Sequence, residues 1–392
     1  MSTYYVAPNS TGGTDEGTVD NPYLTFAKAL TSVSFGDTIA LKDGTYSIGT
    51  EFATHNTIPI TTFTLSGSNP NNVIIEGAAT GTNPTAPSFF GKSDVTITDR
   101  FFKLTVKGVQ FSKIFGTATY PIFGTSGEDE FRFENCIFDQ IAAQAPTIQG
   151  YVGIIGPPSY VNPHTWVLPD TYNGRGVFKN CIFRRFGWSS NASGAKGLFN
   201  CMGMYLRFAN CTLLMDVDHP GSIGGFAISG NRQSGFYLFY AGNPGATGTA
   251  WTGQGYAADE FPVNDVKMIN CILYNERVGK FGYFNGRATA TNSHGDKAFY
   301  NSEIKNCITY DFKNYSSLNT EGLITPINNI NVMEEVGGFP TAGTRAVDPL
   351  FIDVTDASDL NLRPASALIG YGESVPSSWY DLDRPSTLKS QL

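Results

Sequence analysis

One alternation of apolar and polar positions recurs along the chain. Apolar residues stand four and two places before an Asn, a Cys follows the Asn, and another apolar residue lies three places after it. Phe131, Phe133, Asn135, Cys136 and Phe138 show the full form. The unit returns around Asn180 (Phe178, Cys181, Phe183), Asn210 (Leu206, Phe208, Cys211, Leu213), Asn270 (Val266, Met268, Cys271, Leu273) and Asn306 (Ile304, Cys307). The sixth, Cys201, also follows an Asn, Asn200, but Lys196 and Gly203 stand at the outer apolar positions. Two more units fit with Gly in place of Asn: Val73 and Ile75 before Gly77, and Leu104 and Val106 before Gly108.

Alternation at period two predicts a strand with one face inward. Asn and Gly best tolerate a left-handed backbone, so the chain bends at the marker and a second short strand begins. The Cys then points inward as a small hydrophobe and stacks on its counterparts. A column of Asn at one bend can bond side chain to side chain. Markers lie 27 to 60 residues apart, whereas solenoid repeats run at about 20–45 residues. The two longest gaps therefore carry insertions, at about 142–173 and 215–262, rich in Gly, Pro, Ala and Tyr. The absence of a long helical period argues against a leucine-rich or other helix-containing solenoid.

A solenoid needs a cap. Phe26, Ala29, Leu30 and Val33 recur at helical spacing behind Thr25, a good N-cap. Ser34 to Asp37 then turns the chain into a strand over 38–41, and Asp43-Gly44-Thr45-Tyr46 turns it again. These residues, with Tyr5-Val6-Ala7-Pro8, Gly17-Thr18, Asn21-Pro22 and Gly36-Asp37-Thr38-Ile39, resemble the opening of the pectate-lyase-like right-handed β-helix superfamily. Asp348-Pro349-Leu350-Phe351, Leu360-Asn361-Leu362, Pro364 to Gly370 and Asp381 to Arg384 resemble its closing stretch. The resemblance implies an all-β, single-stranded right-handed parallel β-helix with a short N-terminal capping helix. It divides the chain into 1–46 (cap and first rung), 47–345 (β-helix with the two insertions) and 346–392 (last rung and tail). It is specific for fold rather than activity, because lyases, hydrolases, adhesins and phage proteins share these ends. No calcium-binding or base-supplying lyase motif can be carried over.

Composition agrees. Charged residues are 15% and aromatics 13%, with 43 Gly, which describes an ordered, turn-rich chain. The net charge is −8, without the basic stripe of a nucleic-acid binder. No apolar run reaches the roughly 18 residues of a membrane span, and Met1-Ser2-Thr3-Tyr4-Tyr5 has no signal-peptide character. Virion association, or synthesis in a cytoplasm without export, is the expectation; the alternative is a secreted chain whose leader is not in this sequence.

Candidate chemistry lies four to seven places after each marker. There the chain carries Asp139, Arg184, Arg185, Tyr274, Glu276, Arg277, Tyr310, Asp311 and Asp216, with Asp218 and His219 just beyond. If the protein is an enzyme, Asp216, Asp218 and Glu276 are the candidate acids or nucleophile and Arg185 grips an anion. Asp139, Arg184, His219, Tyr274, Arg277, Tyr310 and Asp311 are candidate saccharide contacts. The plainer reading is solvated surface with cross-rung ion pairs, each worth little. Asp216-Val217-Asp218-His219 lacks a further nearby ligand, so no metal and no cofactor is expected. His294 with Asp296 and Lys297, and the isolated His55 and His164, read as surface. Tyr and Trp in the insertions suit either sugar stacking or a protein interface.

Three functions follow. The first is a virion-associated, receptor-facing structural protein that contacts glycans. The second is a polysaccharide lyase or glycoside hydrolase, and the third a glycan-binding adhesin. Polysaccharide, other virion proteins and copies of the chain itself are the expected partners; nucleic acid is not. The position two after each marker holds Ile137, Ile182, Ile272 and Ile308, an outward apolar stripe that needs a cover, either an insertion folded back or, as the favoured expectation, further copies of the chain in a homotrimer.

Overall fold

A computed structural model describes residues 1–8, 15–47, 62–77, 103–117, 123–124, 130–144, 154–156, 175–184, 187–189, 196–200, 205–215, 222–223, 226–229, 236–240, 265–275, 283–285, 302–310, 325–327, 330–331, 364–365 and 372–375. Two parallel sheets run through it. Sheet A joins, in order, Thr3–Val6, Thr38–Leu41, Phe63–Ser66, Lys103–Lys107, Glu130–Glu134, Arg175–Lys179, Tyr205–Ala209, Asp265–Ile269, Glu303–Lys305 and Thr325–Ile327. Sheet B joins Gly44–Ser47, Val73–Glu76, Gln110–Thr117, Ile137–Gln144, Ile182–Arg184, Thr212–Met215, Ile272–Asn275, Ile308–Tyr310 and Ile330–Asn331. From Thr38 onward each strand of A is followed by a strand of B, so among the described residues the chain makes nine successive coils of a parallel β-helix.

The inward positions stack in register. Val106, Phe133, Phe178, Phe208, Met268 and Ile304 form one column and Phe111, Phe138, Phe183, Leu213 and Leu273 another, all buried. Rings lie nearly parallel at the layer spacing. Centroids are 5.0 Å apart for Phe133–Phe178, 4.8 Å for Phe178–Phe208 and 4.8 Å for Phe138–Phe183. That spacing matches the roughly 4.8 Å between hydrogen-bonded strands.

The bend between the sheets behaves as the marker predicts. Asn135, Asn180, Asn210, Asn270 and Asn306 have φ of 50° to 53°, and Gly108 has 61°. Their amides form a ladder: Asn180 Nδ2 donates to Asn135 Oδ1, Asn210 to Asn180 and Asn270 to Asn210, each at 3.1 Å. The five Cys that follow are free and buried, as parallel stacking requires, since stacked side chains are badly aimed for a disulfide. Each thiol also donates to a carbonyl two residues back, as Cys181 Sγ does to Lys179 O at 3.4 Å and Cys211 Sγ to Ala209 O at 3.4 Å. Burial pushes the Cys181, Cys211 and Cys307 thiols up, so they stay protonated donors. Asn210→Ala should lower stability by about 2–3 kcal/mol, combining left-handed strain with two lost hydrogen bonds. Asn210→Gly should cost about half of that, because the strain term disappears. Urea denaturation of the two variants separates the terms.

Two sequence expectations are corrected. Gly77 is not a bend marker, because Val73–Glu76 belongs to sheet B and pairs with Gln110–Thr117. The equivalent position of that coil is Gly67, with Phe63 and Leu65 before it but without the positive φ of Gly108; Gly67 N–H bonds Lys107 O at 2.8 Å, and a Cβ there would collide with the Gly108 carbonyl. Secondly, Gly44 to Tyr46 is not a turn but the first strand of sheet B, entered through Gly44 at φ 140°. Short strands also occur within the insertions. Ile155–Gly156 pairs with Phe123–Gly124, and Phe236–Tyr240 lies between Lys196–Asn200 and Tyr283–Asn285, all parallel. These strands fall between a strand of B and the next strand of A, on a third side of the coil. Ser222–Ile223 and Phe226–Ser229 add an antiparallel hairpin that reaches Gly187–Ser189.

The cap matches its sequence signal. The helix spans Phe26–Ser32, Thr25 Oγ1 accepts the Lys28 N–H at 3.2 Å, and Phe26, Ala29 and Leu30 are buried. The outer edge of Thr3–Val6 is occupied: Tyr5 N–H bonds Gly17 O, Tyr23 N–H bonds Tyr5 O and Ala7 N–H bonds Tyr23 O. Asp37 ties cap to coil, accepting N–H bonds from Ser2 at 2.6 Å and Ser34 at 3.0 Å. Those bonds hold its carboxyl below the usual carboxylate range. A lowered folded-state pKa stabilises above the unfolded value and is lost as pH falls through the folded one. The stability gap between wild type and Asp37→Asn should therefore be full near pH 7 and close below about pH 4; melting curves across pH check it. No described helix is long and apolar enough to cross a membrane. Of 346–392, only 364–365 and 372–375 are described.

Candidate functional site

Strand register decides which candidate residues can meet. On sheet B one row contains Glu76, Ser112, Asp139 and Arg184, in pairwise register. Further along the same sheet Leu214 is paired with Tyr274, and Tyr274 with Tyr310. These positions alternate with the inward Phe138, Phe183, Leu213 and Leu273, so they occupy the other face of the sheet. Four of the seven saccharide-contact candidates thus share one face: Asp139, Arg184, Tyr274 and Tyr310.

Asp139 departs from expectation. A groove wall should be solvated, but this residue is 1% exposed. Arg184 Nη2 bonds its Oδ2 at 3.3 Å, and Gln110 Nε2 reaches the same oxygen at 3.4 Å. Gln140 beside it takes the left-handed conformation, φ 53°, and turns the strand. The carboxylate anchors Arg184 and is not itself offered outward. Arg184 is the accessible member of the pair, with 19% of its side chain exposed.

Asp216, Asp218, Glu276 and Arg185, the four candidate catalytic residues, lie outside the described residues, as do His219, Arg277 and Asp311. What the structure gives is their approach. Met215 and Asn275 are register partners, and Asp216 and Glu276 are the next residues in the chain. Among the described residues no group of three or more His, Cys, Asp or Glu could hold a metal ion.

The outer face of sheet A carries a charged cluster that the sequence reading passed over. Lys103, Glu130 and Arg175 are in register, with Tyr205 and Asp265 continuing the row. Glu130 is held by Lys103 Nζ at 3.1 Å and by Arg132 Nε. Arg207 grips Asp265 with both nitrogens, Nη1 to Oδ1 at 2.8 Å and Nη2 to Oδ2 at 3.0 Å, and Nη1 also bonds the carbonyls of Leu206 and Asp265. Both members are buried. A signal existed: Glu130, Arg175 and Asp265 each stand five places before a marker Asn. Both carboxylates of this cluster are held by cations, and it reads as cross-coil scaffolding.

The apolar stripe is in register from Ile137 to Ile182, Thr212, Ile272, Ile308 and Ile330. Its members are covered unequally. Ile137 and Ile308 are buried within the chain, whereas Ile182 and Ile272 are half-buried.

No protein-family model matches the chain, and no curated protein matches it. Among solved structures it is similar to a rhamnogalacturonan lyase, at 15% identity over 95% of this chain and 98% of that one, with a TM-score of 0.40. It is similar to a pectate lyase at 16% identity over 96% and 93%, TM-score 0.39, and to the ORF18 protein of Geobacillus virus E2 at 15% identity over 84% and 56%, TM-score 0.33. The fold itself is read from the chain's own strand register: this protein is a parallel β-helix.

Proposed function

We propose that this chain is a glycan-contacting β-helix protein of a virion surface, a receptor-facing structural part. The observation that carries the glycan reading is the outer row of sheet B. It places a carboxylate-anchored Arg184 on the same face as the register-paired Tyr274 and Tyr310. A guanidinium held by a buried partner loses little freedom on binding an anionic sugar, and phenol rings stack on sugar faces. Asp139, being committed to Arg184, supports a binding role over acid catalysis at this row. Binding of anionic and neutral polysaccharides should weaken about tenfold or more in Arg184→Ala and Tyr274→Ala, the range of a hot-spot truncation. Unchanged binding in both variants would remove the row as the site. Virion placement is tested by the genes flanking its own: virion structural genes support it, and a set for polysaccharide breakdown removes it.

A depolymerase is the second reading, and one observation favours it. The candidate acids Asp216 and Glu276 follow the register partners Met215 and Asn275 in sequence, and a retaining glycosidase uses two carboxyls roughly 5 Å apart. Incubation with polysaccharides, read by reducing ends and by absorbance of unsaturated uronates, decides it. Activity abolished by both Asp216→Asn and Glu276→Gln would establish the enzyme.

Assembly as a trimer around the half-buried Ile182 and Ile272 belongs to the same proposal. A wild-type trimer should fall to monomer in Ile182→Glu/Ile272→Glu, read as mass in solution. A wild-type monomer refutes the trimer and leaves the fold intact.

A further inference from the structure

The asparagine ladder stops one step early, and a distant part of the chain finishes it. Asn306 has the marker conformation, φ 50°. The next rung would have its amide donate to Asn270 Oδ1. Instead the backbone N–H of Glu373 donates to that oxygen at 3.1 Å, and Asn270 Nδ2 donates to the Glu373 carbonyl at 2.7 Å. A peptide unit and a primary amide thus pair at two points, across 103 positions of sequence. The Glu373 carboxylate turns to the following coil and takes Lys305 Nζ at 2.5 Å. Its pKa is lowered by Lys305 first and also by a hydrogen bond from Asn306. Gly372 fits the approach: a Cβ there would stand 3.3 Å from the Asn270 side-chain carbon and oxygen. The strap itself is exposed, with Gly372, Glu373 and Ser374 all on the surface.

We propose that Gly372 to Ser374 is a detachable strap that locks the coil of Asn270 to the coil of Asn306, and that its release precedes opening of the stacked core. The contacts divide that way. The strap is held by two backbone–amide bonds and one ion pair, and no buried apolar side chain anchors its described residues. The two coils beneath it are held by stacked Met268 and Ile304 and by Cys271 and Cys307, all wholly buried. Exposed hydrogen bonds open at low free energy, whereas buried columns open only with the domain. The strap crosses from one coil to the next on the bend line, so while it is closed these two coils cannot part there.

Backbone hydrogen exchange of the full chain tests this. In wild type the Glu373 amide should be protected, yet exchange much faster than the amide of Phe208. Gly372→Val, whose larger side chain must displace Asn270 or the strap, should speed exchange at Glu373 by about tenfold or more. The amides of Phe178 and Phe208 should keep their rates. Lys305→Ala, which removes only the ion pair, should give a smaller change in the same sense and serves if Gly372→Val does not fold. A Glu373 amide that exchanges like free peptide in wild type overturns the proposal. So does a Glu373 rate that neither variant moves, or a change at Phe208 as large as that at Glu373.

Discussion

Phe178→Ala should cost about 3–5 kcal/mol, among the larger effects available to a single substitution in this chain. Phe178 sits between Phe133 at 5.0 Å and Phe208 at 4.8 Å and meets Phe183 edge-on at 5.5 Å. Truncation opens a gap bounded above and below by rings whose height is fixed by the hydrogen bonds of sheet A, so the neighbours cannot close over it. Phe178→Leu, which refills most of the volume, should cost less than half as much. Denaturant midpoints with unchanged slopes would verify both values. A loss under about 1 kcal/mol for Phe178→Ala would mean that the column collapses freely and that the layer spacing is not imposed by the sheet.

Asp265→Ala should cost a comparable amount, about 3–5 kcal/mol, for a different reason. The substitution leaves the Arg207 guanidinium buried and without its two carboxylate oxygens, though still bonded to two backbone carbonyls. The harm lies in the stranded charge rather than in the lost attraction. The double substitution Asp265→Leu with Arg207→Met should therefore recover most of the stability, because an apolar pair of similar size strands nothing. A double-mutant cycle by chemical denaturation measures this. If the double variant is as damaged as Asp265→Ala, the pair contributes through shape and not through charge.

The coil was legible in the sequence because its bend demands a rare conformation. Five Asn at positive φ, each followed by Cys, are a pattern that few other folds would select. Gly67 was missed because Gly is common enough to mark a bend anywhere, and Phe63-x-Leu65 and Val73-x-Ile75 look alike until strand pairing is known. The third side of the coil was missed because its strands are two to five residues long and lie inside stretches rich in Gly and Pro. The site was the least legible part. Equal offsets from the marker put Asp139, Arg184, Tyr274 and Tyr310 at positions on one face of sheet B. Offset alone does not tell an exposed carboxylate from one claimed by the next coil, and Asp139 was claimed by Arg184. Looking only after the marker also hid Glu130 and Asp265, which precede it.

The occupied edge of Thr3–Val6 has a consequence beyond the fold. A stack of parallel strands in register is, in its backbone chemistry, a short length of fibre whose layers happen to be joined in series. Each layer is a template for the next, and nothing in the repeat itself says where to stop. At the first layer the stop is supplied by Gly17 and Tyr23, which take the bonding positions of Tyr5 and Ala7 that another strand would use. Because the bonds that define this edge are used internally, Thr3–Val6 does not offer them to a foreign strand. The cap therefore does more than cover apolar residues: it gives a potentially open-ended polymer a finite length at that end.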